Sequence, residues 1–148
     1  GGNRCDPGRS MKVLVDTNVL LSAVIRDRLP EKVLRWCLAN DDVRWLVSPA
    51  ILAEYLEVIQ RPRFALPPEV IDWWASLLTA DTVMTPMLPA PDFPRDRKDA
   101  PFLACAGGHS VDYLITGDSD FSEARRLIPQ VKIVSVREFA LAVGLDLT

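Results

Sequence analysis

Short apolar runs rich in β-branched residues alternate with longer stretches of good helix formers along most of this chain. That alternation limits the fold more than any other feature. A bounded run of Val, Ile and Leu has the length of a buried strand, and a helix-length segment follows each one. Strands joined by such crossovers pair in parallel, and a parallel sheet is covered by helices on both faces. The order implies an α/β fold, with a mostly parallel central sheet of about four to five strands in a three-layer α/β/α arrangement.

Residues 12–16 (KVLVD), 43–48 (VRWLVS), 112–116 (DYLIT) and 131–134 read as strands, with 80–86 as a further candidate. Thr17-Asn18 offers helix-starting side chains ahead of a helix over 19–25. Pro30 opens a second helix over about 31–40, whose Val33, Leu34, Cys37 and Leu38 share a face. Ser48-Pro49 starts a helix over 49–60 that Pro62 stops. A connector over 61–66 leads to a helix over 69–79. Residues 87–98, with Pro89, Pro91 and Pro94, read as a long loop. Asp99-Ala100-Pro101 caps a helix to about residue 107, residues 117–120 (GDSD) are a turn, 121–128 are helical, and 137–143 form a closing helix. Residues 1–10 read as a polar, Gly-rich tail, native or a vector remnant, and 11–148 as one domain, the ordinary size for a single core.

Several classes of function are excluded early. No apolar run approaches the roughly 18–20 residues of a membrane span. Three cysteines (Cys5, Cys37, Cys105) without a CxxC pair support neither a disulfide framework nor a zinc knuckle. One histidine, His109, rules out any site needing two. A reduced, cytoplasmic protein follows. The balance of 17 Lys+Arg against 20 Asp+Glu gives −3, so nucleic-acid binding is not readable from net charge. The types are more telling: Asp supplies 14 of the 20 acids and Arg 13 of the 17 bases. Aspartate is a hard oxygen ligand for Mg²⁺ or Mn²⁺, and Arg offers a planar fork to phosphate.

In open α/β sheets ligands sit outside the carboxyl ends of the strands. Asp16 ends the first strand, Glu54 lies on the second turn of the helix after 43–48, Asp99 starts the helix after the Pro-rich loop, and Asp118 and Asp120 follow strand 112–116. In a parallel sheet these acids converge on one rim. Crowded carboxylates repel and raise one another's pKa values, which a divalent cation reverses. Such a cation, sharing its coordination with waters and phosphate oxygens, activates water and neutralises charge on a phosphodiester. Each acid has an ordinary structural reading too. Asp16-Thr17-Asn18 and Asp99 are suitable helix caps, GDSD is turn chemistry, and Glu54 suits a solvated helix face. Their joint placement favours the functional reading.

The chain resembles the PIN-domain family of metal-dependent ribonucleases, especially its small bacterial toxin-like branch (VapC type). The resemblance runs from Met11 to about Val143 and is carried by VLVDTNVLLSAV (13–24), SPAILAEYLEVIQRPRF (48–64), DRKDAPFLACA (96–106) and DYLITGDSDF (112–121). It implies that Asp16, Glu54, Asp99 and Asp118 form the catalytic set, with Asp16, Asp99 and Asp118 holding Mg²⁺ or Mn²⁺ and Glu54 acting directly or through water. Asp120 resembles an accessory acid, and Thr17, Asn18 and Thr116 resemble the family's polar residues beside the metal. Asp96 competes with Asp99 in the D-x-x-D unit. Ala100-Pro101 stands where the family often has Asn. The resemblance further implies an RNA substrate, a small protein antitoxin and a homodimer.

Arg61, Arg63, Arg95, Arg97 and Lys98 fall on two loops flanking the acidic rim, either gripping RNA phosphates or simply solvated. Of Trp73 and Trp74, adjacent on a helix, one faces inward and the other is a dimer anchor or a stacking platform. Trp36, Trp45, Cys37 and Cys105 read as core, and His109 as a helix-end residue. The sequence thus points to a metal-dependent endoribonuclease, the toxin of a toxin–antitoxin pair. Two alternatives stand beside it. One is a non-catalytic RNA- or protein-binding module with a vestigial acidic pocket. The other is a Mg²⁺-dependent phosphatase, which wants a D-x-D after the first strand, where Asp16-Thr17-Asn18 lacks the second Asp.

Overall fold

The structure, a computed structural model, describes residues 10–25, 27–86, 100–117 and 128–147. Five strands, β1 (Met11–Val15), β2 (Val43–Val47), β3 (Val83–Met84), β4 (Tyr113–Ile115) and β5 (Lys132–Val134), form one sheet in the order β3-β2-β1-β4-β5. Every pair is parallel. Among the described residues the expected mostly parallel sheet is therefore wholly parallel, in an α/β/α fold. Among the described residues the helices are α1 (Thr17–Val24), α2 (Arg28–Ala39), α3 (Pro49–Val58), α4 (Pro68–Asp81), α5 (Ala100–Gly108) and α6 (Val136–Ala142). No described helix is long and apolar enough to cross a membrane.

The local physics accounts for the boundaries. Ser48 caps α3 by accepting from the Ile51 amide at 3.3 Å, so β2 stops one residue earlier than its sequence run. Pro49 at the first helical position has no amide to leave unsatisfied. A 3₁₀ turn (Pro62–Phe64) replaces the expected irregular connector, and Ala65 exits it in the left-handed region at φ 49°. Ser135 and Glu138 close α6 with reciprocal side-chain-to-backbone bonds. The Pro-rich loop over 87–98 and the expected helix over 121–128, apart from residue 128, lie outside the described residues.

The core runs along the middle of the sheet. Val13, Leu14 and Val15 of β1 are wholly buried, as are Leu20, Leu34, Ile51, Tyr55 and Phe139 from the covering helices. Trp45 and Trp74 are core residues, whereas Trp73 is 43% exposed, so the two adjacent tryptophans split as expected. Trp36 is half-buried, its ring edge-on to Phe139 at 5.9 Å. Cys37 and Cys105 are buried free thiols. His109 follows α5, and its Nε2 meets the Pro86 carbonyl at 3.1 Å.

This order sets the functional rim. From β1 the chain winds outward through β2 to β3, then returns to β4 on the other side of β1 and winds outward again to β5. The winding reverses between β1 and β4, and a crevice opens at such a switch point beyond the carboxyl ends of the strands. Val15 and Ile115 are register partners there. The residues that follow them are Asp16 and Thr116.

Candidate active site

Asp16 occupies the N-cap position of α1 in an extended conformation, yet its side chain makes no capping bond. The Thr116 hydroxyl instead donates to Asp16 Oδ2 at 2.9 Å, and the Asp16 amide donates to the Ile115 carbonyl at 2.9 Å. The side-chain cap suggested by Asp16-Thr17-Asn18 is thus not what Asp16 provides. Because Asp16 is the N-cap, α1 begins at Thr17, two residues before its expected start. Asn18 is exposed on the same turn.

The buried polar side chains of the described residues are Asp16, Thr17, Ser48 and Thr116. Ser48 is accounted for as the α3 cap. The other three gather at the switch point, where burying them requires hydrogen-bonded partners. Thr17 extends the group by donating its hydroxyl to Glu54 Oε2. Glu54, half-buried on α3, is therefore not merely solvated: it is held against the first residue of α1. Two hydroxyls, one from the residue after β4 and one from the first residue of α1, each engage one carboxylate.

Tyr55, the residue after Glu54, was not among the expected site residues. Its hydroxyl donates to the Val15 carbonyl, directly before Asp16, and accepts from Trp45 Nε1 at 3.3 Å. Burial pushes this hydroxyl far above its ordinary pKa, opposed by the Trp45 hydrogen bond, while the negative charges of Asp16 and Glu54 add to the rise. A signal was present in the sequence: Ile51, Tyr55 and Val58 form the buried stripe of α3, and a buried tyrosine hydroxyl needs a partner.

Arg61 is engaged by Glu57, donating from Nε at 2.8 Å and from Nη2 at 2.6 Å. This fork, aided by the charges of Arg61 and Arg63, holds the Glu57 carboxyl below its ordinary pKa. Glu57 and then Glu54 add to the opposite shift of Arg61. Both side chains of the fork border an open hollow of about 480 Å³ beside α3. Arg63 lies over the Phe64 ring at 4.9 Å. Arg95, Arg97, Lys98, Asp96, Asp99, Asp118 and Asp120 lie outside the described residues, although α5 begins directly after Asp99 in the sequence.

Among the described residues no group of three or more His, Cys, Asp or Glu side chains could hold a metal ion. The carboxylates of Asp16 and Glu54, each held by a threonine hydroxyl, are hard oxygens of the type that suits Mg²⁺ or Mn²⁺. Their hydroxyl partners are the kind of outer-shell contact that orients a ligating carboxylate.

The sequence profile of the PIN domain matches residues 12–120. The chain belongs to the PIN-domain family. PIN domains are a family of nucleases, so the rim just described lies in a nuclease fold. No curated protein matches the sequence. Similar solved structures include the PIN domain endonuclease Utp24, 18% identical, with 88% of each chain covered and a TM-score of 0.54. VapBC2 from Rickettsia felis, bound to a DNA fragment from their promoter, is 13% identical over 84% of this chain and 98% of that one, with a TM-score of 0.58. PAE2754 from Pyrobaculum aerophilum is 16% identical over 90% of each chain, with a TM-score of 0.51. At these identities the likeness is one of fold.

Proposed function

We propose that this PIN domain is a Mg²⁺- or Mn²⁺-dependent endoribonuclease that hydrolyses RNA phosphodiester bonds, and that it is the toxin of a toxin–antitoxin pair. The observation that carries the reading is the buried Asp16 carboxylate. It sits at the topological switch point, is oriented by Thr116, and does not cap the helix it begins. Burying a carboxylate is costly, and its position suits a charged ligand better than it suits the helix.

In this reading Asp16, Asp99 and Asp118 hold the ion, Glu54 ligates directly or through water, and Asp120 or Asp96 supplements them. The ion supplies charge neutralisation at the scissile phosphate and lowers the pKa of water. Thr116 fixes the rotamer of Asp16, and Thr17 that of Glu54. Asn18 adds a polar group at the rim. Arg61, Arg63, Arg95, Arg97 and Lys98 attract the RNA backbone, supplying locally the positive charge that the acidic chain lacks overall.

The toxin assignment draws on the resemblance to the small bacterial branch and on the likeness to VapBC2. It brings with it a small protein antitoxin, a homodimer with the exposed Trp73 as a candidate anchor, and action in the cytoplasm. The deciding assay incubates purified protein with structured and single-stranded RNA in Mg²⁺, Mn²⁺ or EDTA. Cleavage is expected only with added metal. Asp16→Asn is expected to lower it by more than about 100-fold, beyond the roughly 10–100-fold of an outer-shell loss, with an unchanged circular dichroism spectrum. RNA left intact by wild-type protein in both metals would overturn the nuclease reading. A short adjacent reading frame whose product co-purifies with the chain is the expected sign of the antitoxin.

A further inference from the structure

We propose that Tyr55 is a positioning residue for the carboxylate pair, its hydroxyl pinning α3 to the last residue of β1 so that Glu54 stays in place relative to Asp16. The inference rests on the reading of Asp16 and Glu54 as ion ligands. Three observations carry it. The Tyr55 hydroxyl donates to the carbonyl of Val15, whose neighbour in the chain is Asp16. Tyr55 is itself the neighbour of Glu54, so one hydrogen bond ties together the backbones that bear both carboxylates. The ring is wholly buried and gripped from two sides, edge-on to Trp45 of β2 at 5.9 Å and tilted against Phe102 of α5 at 6.3 Å.

The hydroxyl does not touch the substrate region; it works through the backbone. Thr17 holds the Glu54 side chain, but that contact forms only if α3 sits at the correct depth and rotation over the end of β1. Tyr55 sets both. Its donated bond to the Val15 carbonyl sets the distance of α3 from β1 and, being directional, its rotation, whereas the Trp45 N–H at 3.3 Å is a side-chain contact that joins neither backbone. Contacts made to a ligating side chain itself typically change metal affinity or activity by about 10–100-fold when lost, and that is the scale set for a tie that governs whether the Thr17–Glu54 contact forms.

Tyr55→Phe keeps the apolar ring and deletes the tie. Its Mn²⁺ affinity, measured without RNA by electron paramagnetic resonance, is expected to fall by about 10–100-fold, and kcat with it. Trp45→Phe keeps the Tyr55 hydroxyl and is expected to melt at a lower temperature with Mn²⁺ affinity near wild type. Wild-type Mn²⁺ affinity in Tyr55→Phe, or an equal loss of affinity in Trp45→Phe, would overturn the proposal. A crystal structure of Tyr55→Phe reads the same claim without metal or activity. The Thr17–Glu54 hydrogen bond is expected to be broken, and finding it intact with α3 unmoved would overturn the role of Tyr55 even if the wild type cleaves RNA. Conversely, a broken Thr17–Glu54 bond in Tyr55→Phe beside a wild type that cleaves no RNA would support the positioning role while the nuclease reading fails.

Discussion

The Thr116 hydroxyl donates to Asp16 Oδ2 at 2.9 Å, joining residues 100 positions apart in the chain. It does so across the seam where β1 and β4 lie in register, Val15 opposite Ile115. The contact is therefore a product of the parallel topology. It is made by an Asp16 side chain that does not cap the helix it begins.

Thr116→Val keeps the size and branching of the side chain and removes the donor. RNA cleavage is expected to fall by about 10–100-fold, with Thr116→Ser near wild type. Single-turnover rates at saturating Mn²⁺ check this, and an unchanged rate in the valine variant would show that Asp16 needs no orienting donor.

Glycine inside a helix usually gives way to alanine with a gain of up to about 1 kcal/mol. Gly107 of α5 is expected to behave in the opposite sense. A Cβ there would meet Ile128 Cγ2 at 2.8 Å, and a β-branched side chain has little freedom to move aside. Overpacking costs about 1–3 kcal/mol, which exceeds the propensity gain in most of that range. Urea unfolding of Gly107→Ala is expected to show a net loss of stability.

Burial pushes the Cys37 thiol from 9.0 up to about 12. Its folded pKa lies above its unfolded one, so the native state holds the proton longer. The stabilising contribution is complete below pH 9 and is lost as the pH climbs from 9 toward about 12. Cys37→Ala is expected to flatten the fall of stability over that window by at most about 1.4 kcal/mol per pH unit. Paired urea titrations at pH 8 and pH 10.5 measure the difference. Native Cys37 is likewise expected to resist alkylation at pH 8 until denaturant is added.

Arg61 is bound in a fork by Glu57, so its charge is shared before any RNA arrives. Glu57→Gln frees the guanidinium and is expected to lower KM for RNA. Arg61→Gln is expected to raise KM and to reduce the salt dependence by about 0.7 in log–log slope for a single-stranded substrate. Both side chains are largely solvent-exposed, so melting temperatures are expected to stay close to wild type. Cleavage assays across a salt series separate the two effects.

The fold was legible because its signals are local. Runs such as KVLVD and DYLIT announce strands by β-branching, and Ser48-Pro49 announces a helix start; all three elements stand within a residue or two of their expected places. Strand 80–86 was overdrawn. Its apolar residues are few, and only Val83 and Met84 pair with β2, at the edge of the sheet. The start of α1 differs from the expected one because Asp16, Thr17 and Asn18 are all competent N-caps, and which one acts depends on where β1 ends. The carboxylates of Asp16 and Glu54 were legible as acids at a rim. The hydroxyls that hold them were less so. Thr17 and Thr116 were named through resemblance, and which carboxylate each meets is set by tertiary contact. Tyr55 is the least legible of these, because in an apolar helix stripe a tyrosine has the pattern of any core residue and only tertiary contact shows where its hydroxyl goes.

The central placement of β1 carries one more consequence. A strand with partners on both sides, wholly buried from Val13 to Val15, has no edge from which to fray. Amide protons at its carboxyl end should exchange with deuterium only through global unfolding, among the slowest in the molecule. The floor beneath Asp16 then persists for as long as the protein itself stays folded, and warming short of the melting point leaves it in place.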